Sequence, residues 1–157
     1  VKAEILGGSS DISAGQLIDR TGKRLGLAFP AGKAVDALSR EAAHRDSFRV
    51  KVHDASFSFS GLENKMNALA QQGTSPADIC WFVLASIIQG VETATRQALE
   101  QYPGLPVLCA GGVASNQLMR ERMTQHCGAV FAEPRYSTDN AMGTAILTWR
   151  AHHLERK

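Results

Sequence analysis

Residues 106–132, PVLCAGGVASNQLMRERMTQHCGAVFA, contain the pattern that decides the fold of this chain. The apolar run at 106–110 is too short for a helix and ends at two glycines, so we predict a buried strand there. A helix is predicted over residues 116–126, and a second short strand over residues 129–132. A strand, a helix and a strand in this order predict a parallel sheet with crossover helices, which is an α/β fold.

The longest predicted helix begins just upstream of this stretch. Ser75 suits the cap of a helix start, Pro76 fits the first turn, and Asp78 is an acid near the positive end of the helix dipole. Nearly every side of the helix is apolar over residues 79–91, whereas only a stripe is apolar over residues 92–100. We therefore expect this to be the central helix of the core.

Other local signals predict the remaining elements. Apolar residues at helical spacing indicate three further helices, at residues 11–25, 33–43 and 138–152. Gly26 is a stop signal for the first of these. Ser60 followed by Glu63 matches the reciprocal capping box, which predicts a helix over residues 61–71. Short alternation over residues 45–59 predicts extended chain.

Composition limits the class of protein. A chain of 157 residues with 44% hydrophobic content is the size of one domain with a single core. Its net charge of +2 does not by itself require a nucleic acid, a membrane or an acidic partner. Cys80, Cys109 and Cys127 have no zinc-ligand spacing, so we expect reduced thiols and a cytoplasmic location. We expect no membrane span.

The glycine pair Gly111 and Gly112 is the first candidate binding site. Glycine allows a backbone to approach a ligand closely, and the free amides of a helix start favour phosphate or polar ligand atoms. A tight turn, with Ser115 or Asn116 as the cap of the following helix, explains the same residues without a ligand.

Two aspartates are further candidates. Asp139 follows a predicted strand, where open α/β sheets bind ligands, and it is suited either to capping a helix or to holding a metal. Asp19 lies opposite the apolar stripe of its helix, where it is suited either to ribose hydroxyls or to a solvated surface. None of the five histidines has the four-residue helical spacing of a two-histidine metal site.

Four runs of sequence carry a resemblance when they are taken together. They are GGSSDISAGQLIDRTGKRLGLAFPAG (7–32), SFSFSGL (56–62), CAGGVASNQLMRERM (109–123) and STDNAMGTA (137–145). Their order and spacing resemble the tRNA threonylcarbamoyladenosine transferase family, also called the glycoprotease or O-sialoglycoprotein endopeptidase family. The resemblance covers nearly the whole chain, and it implies part of the carboxyl-terminal lobe of an actin-like ATPase (ribonuclease H-like) fold.

The resemblance also implies a set of site residues. It assigns contacts with an adenosine ligand to Asp19, Gly32 and Asn116, and the glycine pair Gly111 and Gly112 belongs to the same expected nucleotide site. It assigns one ligand of a divalent metal, iron or zinc, to Asp139. The other metal ligands of the family are two histidines in a segment that does not occur in this sequence.

The implied reaction transfers a threonylcarbamoyl group from threonylcarbamoyl-adenylate to adenosine in tRNA that reads codons beginning with A. The expected nucleotide is ATP or this adenylate, and the expected partners are tRNA and the other proteins of a tRNA-modifying complex. Because the amino-terminal lobe of the family is missing, we expect residues 1–157 to be a single partial domain that is inactive alone. We also expect residues 2–6 to form an exposed edge strand.

Four positions depart from the family pattern, namely Gln16, Ala31, Lys33 and Glu63. These departures leave open an alternative, a non-catalytic nucleotide-binding or scaffold paralogue, in which Lys33 adds a charge near ligand phosphates. The protease activity in the older family name would require an HExxH run, which the sequence lacks.

Overall fold

The computed structural model describes residues 3–137 and 141–154 of the chain. Its helices are α1 Ala14–Arg24, α2 Gly32–Ser39, α3 Ser60–Gln71, α4 Pro76–Gln101, α5 Gln117–Cys127, α6 Pro134–Ser137 and α7 Ala141–Leu154, with a 3₁₀ turn at Val113–Ser115. Its strands are β1 Gly8–Ser9, β2 Val52–His53, β3 Ser56–Phe57, β4 Leu108–Cys109 and β5 Val130–Phe131. The fold is therefore mixed α/β, as the sequence predicts.

Helix α4 is the central element of the core, and it begins as predicted. The Ser75 hydroxyl accepts a hydrogen bond from the Asp78 N–H at 3.1 Å, and Pro76 is in the first turn. Helices α1, α2, α3 and α5 all pack against α4. By length and composition α4 is apolar enough to cross a membrane, but 61% of its most apolar stretch is buried inside the protein. This burial is what the core helix of a globular domain requires.

The core around α4 fixes the positions of the neighbouring helices. Leu17 of α1, Val35 of α2, Leu62 of α3 and Met123 of α5 are all fully buried in one cluster. Each such side chain stabilises the fold by about 1.5–3 kcal/mol relative to exposure. Because α1, α2 and α5 share this cluster, the beginning of α2 and the beginning of α5 lie near α1.

The strands form two small sheets, which corrects the prediction of one parallel sheet. Strands β4 and β5 are parallel and are joined through α5, so the predicted strand–helix–strand unit is confirmed. Strands β1, β3 and β2 form a separate sheet, in which β1 and β3 are parallel and β2 and β3 are antiparallel. The prediction of a buried strand at residues 106–110 is wrong for Leu108, which is 71% exposed, because no element covers its side of the sheet among the described residues.

The capping box occurs at α1 and not at α3. The Ser13 hydroxyl accepts from the Gln16 N–H, and the Gln16 side chain accepts from the Ser13 N–H. This cap explains why α1 begins at residue 14, later than predicted. At α3 the Ser60 hydroxyl instead donates to Asp11, and Glu63 pairs with Arg20 at 2.9 Å.

Helix α2 ends at residue 39, four residues earlier than predicted, because the following chain is bonded to α4. The Asp78 carboxylate accepts the His44 N–H at 2.9 Å and lies 3.1 Å from Nδ1 of the same histidine. The His44 backbone N–H is the main cause that lowers the pKa of Asp78, to about 2. The Asp78 side chain therefore remains a charged anchor for this turn over nearly the whole acidic range.

The remaining predictions have mixed outcomes. Residues 3–7 have no regular secondary structure and Ile5 is 94% exposed, so an edge strand there is wrong; Lys2 lies outside the described residues. The edge strands of the three-stranded sheet are β1 and β2. The three cysteines are free thiols, and burial raises their pKa values, to about 11 for Cys80.

Candidate functional site

A cavity of about 620 Å³ lies between α1, the start of α2 and the loop that leads into α5. Its size is within the range of small-molecule sites in proteins. Asp19, Gly32, Gly112 and Asn116, four of the residues expected to bind a nucleotide, line this one cavity. The rest of its wall consists of Gly15, Ile18, Pro30, Lys33, Asp36, Leu84, Val113 and Ser115.

Asp19 is half-buried and fixes the loop between α1 and α2. Its Oδ1 accepts the Ala31 N–H at 2.9 Å, across twelve positions of sequence. The carboxylate also faces a smaller neighbouring cavity of about 230 Å³, which is lined in part by Lys23 and Phe29. Asp19 is therefore partly buried, and its carboxylate holds the loop that forms one wall of the larger cavity.

The beginning of α2 lies on the cavity wall, and no hydrogen bond from the N–H of Gly32, Lys33 or Ala34 occurs among the described residues. Its capping residue, Ala31, makes no side-chain cap, and no acid occurs in its first turn. No other atom occupies the space where a Cβ of Gly32 would lie. Free amides and the positive end of a helix dipole favour an anionic or polar ligand, and Lys33 adds a positive charge on the same wall.

The two glycines of the glycine pair have different surroundings. Gly112 lines the cavity, and no other atom lies within 4 Å of the position that its Cβ would take. Gly111 has a φ of +101° and is bonded to Ser137, whose hydroxyl accepts the Gly111 N–H at 2.7 Å and donates to its carbonyl at 3.0 Å. Gly111 therefore shapes the turn, while Gly112 forms the wall.

Asn116 both caps a helix and lines the cavity. Its Oδ1 accepts the Met119 N–H at 2.9 Å at the start of α5. Its Nδ2 donates to Oδ1 of Asp36 at 2.6 Å. This bond connects the start of α5 to α2.

Asp36 is a cavity residue that the sequence analysis did not select. Its side chain is 18% exposed, and its second oxygen pairs with Arg40 at 2.5 Å. Its position in the sequence could have identified it, because a residue four positions after Gly32 lies on the same face of the helix as Gly32. The cavity thus contains two carboxylates and a carboxamide suited to hydroxyl and amine groups, beside amides and a lysine suited to phosphate.

The expected metal ligand Asp139 lies outside the described residues. Within residues 3–137 and 141–154, no group of three or more His, Cys, Asp or Glu side chains is close enough to hold a metal ion. The described residues by themselves therefore do not form a complete metal site.

Comparison with known proteins gives a consistent result. The family model described as TsaD, tRNA N6-adenosine threonylcarbamoyltransferase, matches residues 1–146. A protein of Enterococcus faecalis with that name is 38% identical over 129 residues, covering 76% of this chain and 37% of the relative. One from Lacticaseibacillus casei is 32% identical, covering 96% of this chain and 50% of the relative. One from Listeria monocytogenes is 37% identical, covering 78% and 38%.

The chain spans half or less of the length of these curated relatives. The match nevertheless includes the helices and loops that line the cavity. On this evidence the chain belongs to the tRNA N6-adenosine threonylcarbamoyltransferase (TsaD) family.

Proposed function

We propose that the protein carrying this chain transfers a threonylcarbamoyl group from threonylcarbamoyl-adenylate to adenosine in tRNA that reads codons beginning with A. In this reaction the adenosine amine forms a bond to the carbamoyl carbon, the bond to the phosphate oxygen breaks, and AMP leaves with one proton released. The observation that carries the proposal is the cavity of about 620 Å³, lined by Asp19, Gly32, Gly112 and Asn116 from separate stretches of sequence.

In this proposal the chain supplies the surface that binds the adenylate or ATP. Asp19 and Asp36 are suited to accept hydrogen bonds from ribose hydroxyls, and Asn116 is suited to a polar edge of the ligand. The open amides at Gly32 and the charge of Lys33 are suited to phosphate. Such preorganised donors lower a barrier by stabilising the negative charge that grows on the phosphate of the departing AMP.

The wider arrangement is also proposed. We infer that residues 1–157 contribute part of the carboxyl-terminal lobe of an actin-like ATPase (ribonuclease H-like) fold. The parallel unit β4–α5–β5, with its glycine loop facing the cavity, supports this. A divalent metal, iron or zinc, with Asp139 among its ligands, belongs to the same proposal, as do the other proteins of a tRNA-modifying complex and a cytoplasmic location.

Calorimetry with ATP and ADP on the full-length protein tests the nucleotide site. Asp19→Ala and Asn116→Ala should each weaken binding roughly tenfold, equivalent to about 1.4 kcal/mol, because each removes a polar partner in the cavity. Asp46→Ala is a matched control, since Asp46 is exposed and does not line the cavity. Because Asn116 caps α5, circular dichroism must show that its variant is folded. Unchanged affinity in both variants would reject the site.

Mass spectrometry of tRNA nucleosides tests the transfer itself. The full-length protein, its partner proteins and the threonylcarbamoyl donor should together produce threonylcarbamoyladenosine, and Asp139→Ala should abolish it. If ATP binds through Asp19 and Asn116 but no modified nucleoside forms under any condition, the protein is instead a nucleotide-binding or scaffold paralogue.

A further inference from the structure

In the segment 45–53, residues 47–53 pack against α4 with alternating burial, and Arg45 and Asp46 before them are both exposed. Phe48, Val50 and Val52 are directed inward, and Val50 is only 2% exposed, with Cγ1 3.1 Å from the position that a Cβ of Gly90 would take. In extended chain, alternate side chains point to opposite faces. The intervening residues are therefore turned toward solvent, and Arg45, Ser47, Arg49, Lys51 and His53 are all exposed.

Uncharged side chains of α4 hold the backbone of this segment. The Ser86 hydroxyl accepts the Phe48 N–H at 2.7 Å, and Oε1 of Gln89 accepts the Val50 N–H at 2.9 Å. Gln97 accepts the Ala55 N–H at 2.9 Å in the same way beyond the segment. Because these partners are neutral, α4 fixes the segment without neutralising its charges.

Three cations on this segment form what we call the basic strip, namely Arg45, Arg49 and Lys51. None of them has an ion pair within residues 3–137 and 141–154. The guanidinium of Arg45 is stacked over the Trp81 ring at 4.6 Å from its centroid, which orients it while its N–H groups remain able to bind an anion.

The acids near the basic strip form no ion pair with its three cations among the described residues. Asp54 pairs with His53 at 3.0 Å beyond one end of the strip. Asp46 within the segment and Glu41 before it are also exposed acids, and the Asp78 carboxylate is bonded to His44, next to Arg45. The strip carries three positive charges, and one carboxylate, Asp46, lies between its members in the sequence.

We propose that the basic strip binds the phosphate backbone of the tRNA substrate, an inference that rests on the proposed function. Arg45, Arg49 and Lys51 lie close together in the sequence and are all exposed, so their charges can act on one anionic surface. Arginine and lysine contact phosphate regardless of base sequence, as positioning on RNA requires. Helix α2 starts at the cavity and ends at Ser39, shortly before Arg45 in the sequence, so the basic strip follows an element that lines the cavity.

The salt dependence of tRNA binding tests the strip on the full-length protein. In Arg49→Gln/Lys51→Gln, tRNA should bind several-fold more weakly at low salt, and the slope of log affinity against log salt should fall by about 1.4–1.8, because each phosphate contact contributes about 0.7–0.9. ATP affinity should not change. Arg24→Gln/Lys65→Gln is the matched control, since it removes one exposed arginine and one exposed lysine elsewhere and should leave the slope unchanged.

The outcomes separate the strip from the proposed reaction. A wild-type slope in the strip variant, or an equal loss in the control, overturns the strip even where threonylcarbamoyl transfer is observed. If the strip variant binds tRNA like the wild type but no longer binds an acidic partner protein, the tRNA role of the strip is overturned, and the strip is a protein interface. A reduced slope supports the strip, and it does so even if the protein never modifies tRNA, in which case only the reaction is rejected.

Discussion

Asp11 ties the loop before α1 to the first turn of α3. Its carboxylate accepts the Phe59 N–H at 2.9 Å and the Ser60 N–H at 3.0 Å, together with the hydroxyls of Ser58 and Ser60. Desolvation acts to raise the pKa of this carboxyl, but the hydrogen bonds outweigh it and hold the pKa well below its usual range. Asp11 thus accepts the free backbone N–H groups at the start of α3, whose own capping residue makes no side-chain hydrogen bond.

Asp11→Asn should destabilise the protein by about 1–2 kcal/mol at pH 7, the cost of losing a charged helix cap. The stabilisation exists above the unfolded carboxyl pKa, near 3.9, and is lost as pH falls below it, because the folded carboxyl binds its proton later. The stability difference between wild type and variant, measured by urea unfolding, should therefore shrink between about pH 4 and pH 2. Asp46→Asn is the control, and a variant as stable as wild type at pH 7 contradicts the cap.

Single residues of the candidate site were predictable to different degrees. Asp19 and Asn116 came from a family resemblance, because an aspartate on a helix surface and an asparagine after a glycine pair have ordinary structural explanations. Asp36 was missed because, with Arg40 four positions later, it has the pattern of a solvated ion pair. Its contact with Asn116 spans 80 positions, which no local pattern reports.

At the scale of elements, α1 and the loop before α2 meet through Gly22 and Ala31. Ala31 is 1% exposed, and a Cβ added at Gly22 would lie 2.1 Å from the Ala31 Cβ. A glycine inside a helix costs about 1 kcal/mol, and here it allows the loop that carries Gly32 to lie directly on α1. The absence of a side chain at Gly22 thus leaves room for the Ala31 methyl group.

Gly22→Ala should destabilise the protein by about 1–3 kcal/mol through overpacking, and it should weaken ATP binding because the cavity wall at Gly32 shifts. Adding Ala31→Gly should restore much of both losses, giving a favourable coupling energy of about 1 kcal/mol or more in a double-mutant cycle. Gly61→Ala is the control, since its nearest neighbour would lie at 3.7 Å, an ordinary contact. Strictly additive effects of the two substitutions would contradict this packing.

Helices were more predictable than strands, for a physical reason. Helix α4 follows from local capping and apolar spacing alone, whereas every strand among the described residues has only two residues. Strand β1 pairs with β3 across 48 positions, so its partner depends on tertiary packing. The capping box at Ser60 was wrong for the same reason, because Asp11, distant in sequence, occupies that helix start.

At the scale of the whole molecule, the core brings distant stretches to one cavity. Packing of α1, α2 and α5 on α4 sets Asp19, Asp36 and Asn116 around it. Asp19 is bonded to the loop before α2, and Asp36 is bonded to Asn116 and to Arg40. Lys33 has no ion pair within the described ranges 3–137 and 141–154, so its positive charge on the wall remains available to a ligand.

This availability predicts that the phosphates of a nucleotide depend on Lys33 and that its nucleoside does not. In thermal unfolding of the full-length protein with adenosine, ADP or ATP, a ligand that binds only the native state raises the midpoint according to its affinity. Lys33→Ala should lower ATP affinity by up to about fivefold, roughly 1 kcal/mol for a solvent-exposed charge pair, and leave adenosine affinity unchanged. Lys23→Ala, in the smaller neighbouring cavity, should not alter ATP binding. If Lys33→Ala weakens adenosine binding and ATP binding equally, the substitution distorts α2. If the unfolding midpoint with ATP is the same as in the wild type, the ATP phosphates do not contact this wall of the cavity.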